Sequence, residues 1–288
     1  MELRRIALTV LLATVVSHGC ENSMASTSLR IPRGILLPDL HRILVATRDG
    51  RFILLNAATG APLAETNLAA EPLVAVGELV VAARAPQARD LGEVTLLRIT
   101  DDRIVVVWSV PLLDHALHAP LAVDLDRVEL NAKLDGDEIV VYADVHTRYG
   151  GGAMPDERRL AEAAGDHRLL VRLRRSDGEV VARIPVPEMK QPSDTSIPGR
   201  TLRPSRAPNR WELAAGEFDE AAVEVDLDEG TDAATVVGDE VIYHVTEVDP
   251  KSNTQRSYLR SATLATGQLR WSRLLEESTA KPRPPPPP

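Results

Sequence analysis

The sequence predicts an all-β chain built from a repeated hairpin unit, behind an export leader and ahead of a proline tail. Short runs rich in Val, Ile and Leu, Gly- and Asp-containing turns between them, and the recurrence of the same two turn types carry that expectation. With 288 residues, 44% of them hydrophobic, the chain is large enough for a substantial core.

The leader comes first. Arg4 and Arg5 precede an apolar run from Ile6 to Val16, and Ser17, His18 and Gly19 lead to Cys20, the only cysteine of the chain. The run is eleven residues, whereas a helix crossing the hydrocarbon core needs roughly 20. Residues 1–19 therefore read as a cleaved signal rather than a permanent span. The segment resembles a bacterial lipoprotein signal, in which cleavage precedes a lipidated cysteine. Gly19 fits the position before the cut, while Ser17 and His18 depart from the usual pattern. The resemblance implies lipidation of Cys20 and a chain tethered to a bacterial membrane, facing the periplasm or the cell surface. An ordinary secretory cut, for instance after Ala25, is the competing reading. Residues 20–34 are expected to form a soft tether, since small polar residues such as its Asn, Ser and Thr cannot bury a core. With one cysteine, no intrachain disulfide supports the fold.

The strands follow. Ile43–Thr47, Phe52–Leu55, Leu79–Ala83, Val94–Ile99, Ile104–Val110, Ile139–Asp144, Leu169–Leu173, Val180–Ile184, Val241–Val245 and Ser257–Leu264 are separated by turns such as Arg48-Asp49-Gly50, Asp135-Gly136-Asp137 and Ser176-Asp177-Gly178. Ile104-Val105-Val106-Val107 is apolar at every position, and so is expected to be covered on both faces. Two elements recur. One is a turn launching a strand, at Gly77-Glu78, Gly136-Asp137 and Gly238-Asp239; the other joins two strands through a tight glycine turn at Gly60, Gly178 and Gly267. Leu96–Trp108 has the look of the second element with a longer turn.

These units resemble the pyrroloquinoline-quinone-type (quinoprotein-like) β-propeller repeat. Leu264–Trp271 matches its Thr-Gly turn with Trp four residues after the Gly, and Asn56–Gly60 matches its first half. The resemblance implies a β-propeller of four-stranded antiparallel blades over residues 35–278, in which Trp108 and Trp271 wedge between adjacent blades. Ala64 and Ala182 stand where the family has Trp, which implies irregular packing. The quinone-dependent members of the family carry a calcium site and a stacked Trp on the central axis; neither maps onto this sequence. The non-enzymatic branch, whose strand edges and loops bind proteins, is the better analogy.

Two insertions interrupt the repeats. Residues 146–168 hold Gly150-Gly151-Gly152 and a short helix from Pro155 to Gly165. Residues 185–217, rich in proline, are expected to be an irregular loop, with Trp211 as the aromatic that could contact a ligand. Residues 279–288, ending in a run of prolines, read as a polyproline spacer or a ligand for an aromatic groove.

Chemistry is sparse. The glycine triplet lacks the spacing of a phosphate loop. His115 and His118 have metal spacing without a third ligand nearby. The acidic run Glu224, Asp226, Asp228, Glu229 and Asp232 fails the calcium-loop pattern and reads as a solvated strand edge. No serine stands in a Gly-x-Ser-x-Gly elbow. A net charge of −9 argues against nucleic acid. The expectation is a non-catalytic protein-binding or scaffold propeller without cofactor or metal. The alternative is a secreted ligand-binding or degenerate quinoprotein-like enzyme with a site among the face loops.

Overall fold

The computed structural model describes residues 28–87, 90–114, 125–147, 167–185, 197–198, 200–205, 209–213 and 224–279. Apart from one 3-10 turn, Pro38–Leu40, their regular structure is β-strand. A short strand, β1 (Leu29–Ile31), precedes the first blade, which consists of β2 (Gly34–Leu37), β3 (Arg42–Ala46), β4 (Arg51–Asn56) and β5 (Pro62–Asn67). The second blade is β6 (Glu71–Val76), β7 (Leu79–Arg84), β8 (Glu93–Ile99) and β9 (Ile104–Pro111), and the third is β10 (Leu125–Asp135), β11 (Glu138–Thr147), β12 (His167–Arg174) and β13 (Val180–Pro185). After the two-residue β14 (Ile197–Pro198), a three-stranded fourth blade holds β15 (Arg200–Pro204), β16 (Arg210–Leu213) and β17 (Glu224–Asp226). The fifth is β18 (Thr231–Val237), β19 (Glu240–Asp249), β20 (Thr254–Thr263) and β21 (Leu269–Thr279), and β18 also pairs antiparallel with β15, so that blades 4 and 5 join in one seven-stranded sheet. The fold is a β-propeller, with strands running antiparallel within each blade.

One hydrogen-bond scheme builds the repeat. Asn56, Arg174 and Thr263 each accept from the amide of a glycine four residues on, at 2.8, 2.9 and 2.8 Å, and donate to the residue after it. The glycines are Gly60, Gly178 and Gly267, each at positive φ. The carbonyls of His41, Glu78, Asp137 and Asp239 accept from Ala57, Ile99, Arg175 and Leu264, so the same link ties the first hairpin turn to the second in four blades. Each outer strand then carries a bulge at the same place, and the register sets Ala64, Trp108, Ala182 and Trp271 at equivalent positions opposite Leu54, Leu96, Arg172 and Ser261.

The core lies between blades. Phe52, Leu54 and Leu44 of blade 1 pack on Val80, Ala82, Leu97 and Ile99 of blade 2. Val81 and Leu96 of blade 2 meet Ile139, Val141 and Val171 of blade 3. Leu202, Trp211 and Val225 of blade 4 face Tyr243 and Val245 of blade 5. Ile43 and Leu55 of blade 1 meet Leu259 and Trp271 of blade 5, which closes the sequence of blades onto its start. Each fully buried aliphatic or Phe side chain here contributes on the order of 1.5–3 kcal/mol.

Four expectations change. Residues 29–34 do not belong to a soft tether: they form β1 and the start of β2, because Leu29 and Ile31 find apolar partners at the blade 5 interface. The stretch 185–217 is not wholly irregular, since β14, β15 and β16 pair within it. Trp211 is on β16 and only 6% exposed, a core residue between blades rather than a loop aromatic. Val105, Val106 and Val107 are not covered on both faces: they are 44%, 49% and 39% exposed, because β9 is the outermost strand of its blade. The glycine triplet, the helix expected near 155–165, His115, His118, Cys20 and the final prolines lie outside the described residues.

Candidate functional site

The axis of the propeller is taken by the chain itself. β1 pairs antiparallel with β2 of blade 1 and parallel with β14, which leads into blade 4. Ser28, fully buried, accepts a hydrogen bond from the Ala75 amide on β6 of blade 2 at 3.0 Å. Arg30 donates to Asn131 on β10 of blade 3 at 2.7 Å, and β1 also lies against β18 of blade 5. The segment Ser28–Ile31 thus touches the innermost strand of every blade or the strand leading into it. A quinone site of the family type needs that axial room and a stacked Trp. Here the axis carries Ser28, Arg30 and Asn131, and the residues do not fit the group.

Trp108 and Trp271 sit on outer strands and are spent on fastening blades. Trp271 Nε1 donates to the Ala57 carbonyl at 3.0 Å, and Trp108 Nε1 to the Arg175 carbonyl at 2.9 Å. Each indole lies over the glycine of the next blade's turn. A Cβ on Gly60 would come within 2.6 Å of the Trp271 ring, and one on Gly178 within 2.7 Å of the Trp108 ring. Gly267 meets no indole; the Asp226 carbonyl of β17 approaches its Cβ position at 3.0 Å. At the far end of the blade 5 to blade 1 junction, Glu276 forms an ion pair with Arg33 at 3.3 Å and accepts from the Arg48 amide, and Arg51 donates to the Leu275 carbonyl at 3.3 Å.

The acidic run is paired rather than merely solvated. Arg210 reaches Glu224 and Asp226 across β16 and β17, and Arg260 pairs with Asp228 at 2.8 Å. Burial pushes the Asp228 carboxyl up, but the hydrogen bonds from Tyr243 and Arg260 outweigh it and hold the group below its ordinary value. Burial, then the hydrogen bond to Asp228, raises Tyr243. Among the described residues, no group of three His, Cys, Asp or Glu side chains is arranged to hold a metal.

One constellation escaped sequence reasoning. His244 Nδ1 is 2.7 Å from Asp232 Oδ1, and its Nε2 is 2.6 Å from Ser257 Oγ. The order matches a serine hydrolase triad, but the exposure is inverted. Ser257 is 5% exposed and His244 2%, while the Asp232 side chain is 52% exposed. A substrate meets the carboxylate and not the hydroxyl, so the trio serves as a hydrogen-bonded brace between β18, β19 and β20. Only the cross-strand register brings these residues together, and spacing along the chain carries no signal of it.

Among the described residues, the outer rim is the surface open to solution. Between blades 2 and 3 a cleft of about 370 Å³ is lined by Leu79, Leu96, Arg98, Val107, Asp137 and Arg174, among others. β9 borders it. Of the outer strands, β5 carries Glu65, β13 carries Arg183, β17 carries Glu224 and Asp226, and β21 carries Arg270, Arg273, Glu276 and Glu277; β9 carries no charged residue. Charges on an edge strand block unwanted pairing. The valines that read as core in the sequence are the apolar edge of blade 2.

Fold and repeat together define a β-propeller, two of whose blade junctions are fastened by a tryptophan over a glycine turn. No protein-family model matches the sequence, and no curated protein matches it. Solved structures that align with it include BamB from Moraxella catarrhalis, at 15% identity over 85% of this chain and 63% of that one, TM-score 0.35. Others are the quinohemoprotein alcohol dehydrogenase from Comamonas testosteroni, at 10% identity over 84% of this chain and 34% of that one, TM-score 0.32, and the Cps50 (Swd1) β-propeller domain of Myceliophteria thermophila, at 13% identity over 90% and 72%, TM-score 0.31. The chain thus spans under two thirds of the length of the first two.

Proposed function

We propose that this chain is a membrane-anchored, extracytoplasmic propeller that binds another protein and catalyses no reaction. The observation that carries the reading is the filled axis: β1 occupies the place where propeller enzymes of this type hold a cofactor, which leaves the outer surface as the working part. The buried Ser257 argues the same way against hydrolysis. The anchor in this reading is Cys20, lipidated after removal of residues 1–19, with the propeller facing the periplasm or cell surface and the protein partner met there.

Fractionation of cells making the wild-type chain and Cys20→Ala tests it. Wild type is expected in the membrane fraction with its mature N-terminus at an acylated Cys20, and the variant in the soluble fraction. Proximity crosslinking from the anchored chain is expected to mark a protein neighbour that is lost with the anchor. A soluble wild type starting beyond Cys20 would sink the anchor, and cofactor-dependent turnover by the purified chain would sink the non-catalytic reading.

A further inference from the structure

We infer that the outer edge of blade 2 is the docking site, and that it takes an extended partner segment of alternating apolar and acidic residues as an added strand beside β9. The inference rests on the protein-binding reading above and says where and how binding occurs.

The argument starts from hydrogen-bonding capacity. Among the described residues β9 pairs with β8 along one side only, so its other side presents backbone groups to a strand of matching spacing. The apolar stretch from Ile104 to Val110 has no charge that would deter such a strand. Its end is held in place: Arg183 on β13 donates to the Pro111 carbonyl at 2.9 Å and to the Leu112 carbonyl at 3.1 Å.

The two faces of β9 then select the partner. Val106 lies beside Leu97, on the face shared with blade 1, so an added residue next to it meets apolar surface. Val105 lies beside Arg98, on the cleft face. Arg98 is exposed and makes no ion pair among the described residues. Its side chain is long enough to cross Val105 and reach a carboxylate on the added strand. Successive residues of a strand face opposite sides, so a partner that satisfies both faces alternates apolar with acidic.

The test uses the purified full chain and two fluorescein-labelled synthetic nonapeptides, one alternating Val with Glu and one alternating Val with Lys. The Glu peptide is expected to bind, to slow hydrogen exchange in residues 104–110, and to be preferred over the Lys peptide. Val106→Lys is expected to weaken it by roughly tenfold, as charges on edges do. Arg98→Glu is expected to invert the preference, each peptide shifting by roughly fivefold, the upper range for a cross-strand charge pair. Leu274→Lys on β21, an outer-strand position 39% exposed against 49% for Val106, is the folding control and is expected to change nothing. Protection elsewhere than 104–110, no preference between the peptides, or a chain that dimerises through β9 and excludes both would overturn the inference. A native partner crosslinked away from β9 would also overturn it while leaving the protein-binding reading intact.

Discussion

Adding one methyl group at Gly60 separates the two jobs of a blade turn. Gly60 has φ +66, and a Cβ there would press into the Trp271 ring at 2.6 Å. Gly77 has φ +57 and nothing within 4 Å of its Cβ position. Left-handed backbone costs a non-glycine residue about 1–2 kcal/mol, and overpacking a fitted contact costs about 1–3 kcal/mol more. Gly77→Ala is therefore expected to lose about 1–2 kcal/mol, and Gly60→Ala about 2–5 kcal/mol. For a domain of this size each kcal/mol lowers Tm by roughly 2–4 °C. Thermal unfolding followed by tryptophan fluorescence measures both variants. The decisive comparison is Gly60→Ala in a Trp271→Ala background, where the extra cost disappears and only the backbone part remains, a coupling of about 1 kcal/mol or more. If Gly60→Ala costs no more than Gly77→Ala, or costs the same without the indole, Trp271 does not fasten blade 5 to blade 1.

Other outcomes follow from the same structure. Ser28→Ala leaves the Ala75 amide without its hydroxyl acceptor in a buried place, an expected loss of about 1–3 kcal/mol measured by urea unfolding. Trp211→Ala, at the interface of blades 4 and 5, is expected to cost about 3–5 kcal/mol and to broaden the thermal transition. Were Trp211 a ligand contact instead, stability would hardly move. The Asp228 carboxyl is held below its ordinary value in the folded state, so its contribution is present above the unfolded carboxylate pKa and is lost as pH falls through the lower folded value. Asp228→Asn is expected to flatten the acid limb of a stability-versus-pH curve and leave neutral pH less stable. An unchanged acid limb counts against that pairing.

The turns were legible in the sequence because their chemistry is local. A Gly followed by Asp or Glu, or a Thr-Gly pair, reports positive φ within a few residues, and the register later lines up Ala64, Trp108, Ala182 and Trp271 as the repeat implied. β10 was missed because its polar residues Glu129, Asn131 and Lys133 alternate with Val128, Leu130 and Ala132, which pack toward blade 2. That period-2 signal was present but lacked a strong apolar run. Leu29–Ile31 followed small polar residues and gave no hint that its partners lie at Ala75, Asn131 and Ile197. Ile104–Val107 misled in the opposite direction. Composition reported a wish to be covered, and only the strand's place at the rim shows that the cover must come from outside. The Asp232, His244 and Ser257 brace depends on pairing across three strands, which spacing does not encode.

The axial segment comes ahead, in the chain, of every strand it touches. The segment Ser28–Ile31 finds its partners at Leu36, Ala75, Asn131 and Ile197 in turn, each lying farther along the chain. A chain extruded N-terminus first therefore presents the mandrel before the material wound on it. Each arriving blade has a place to register before the next one exists, and the last blade closes against the first through Trp271 and Glu276. The ends of the ring are joined by side chains rather than by a shared strand.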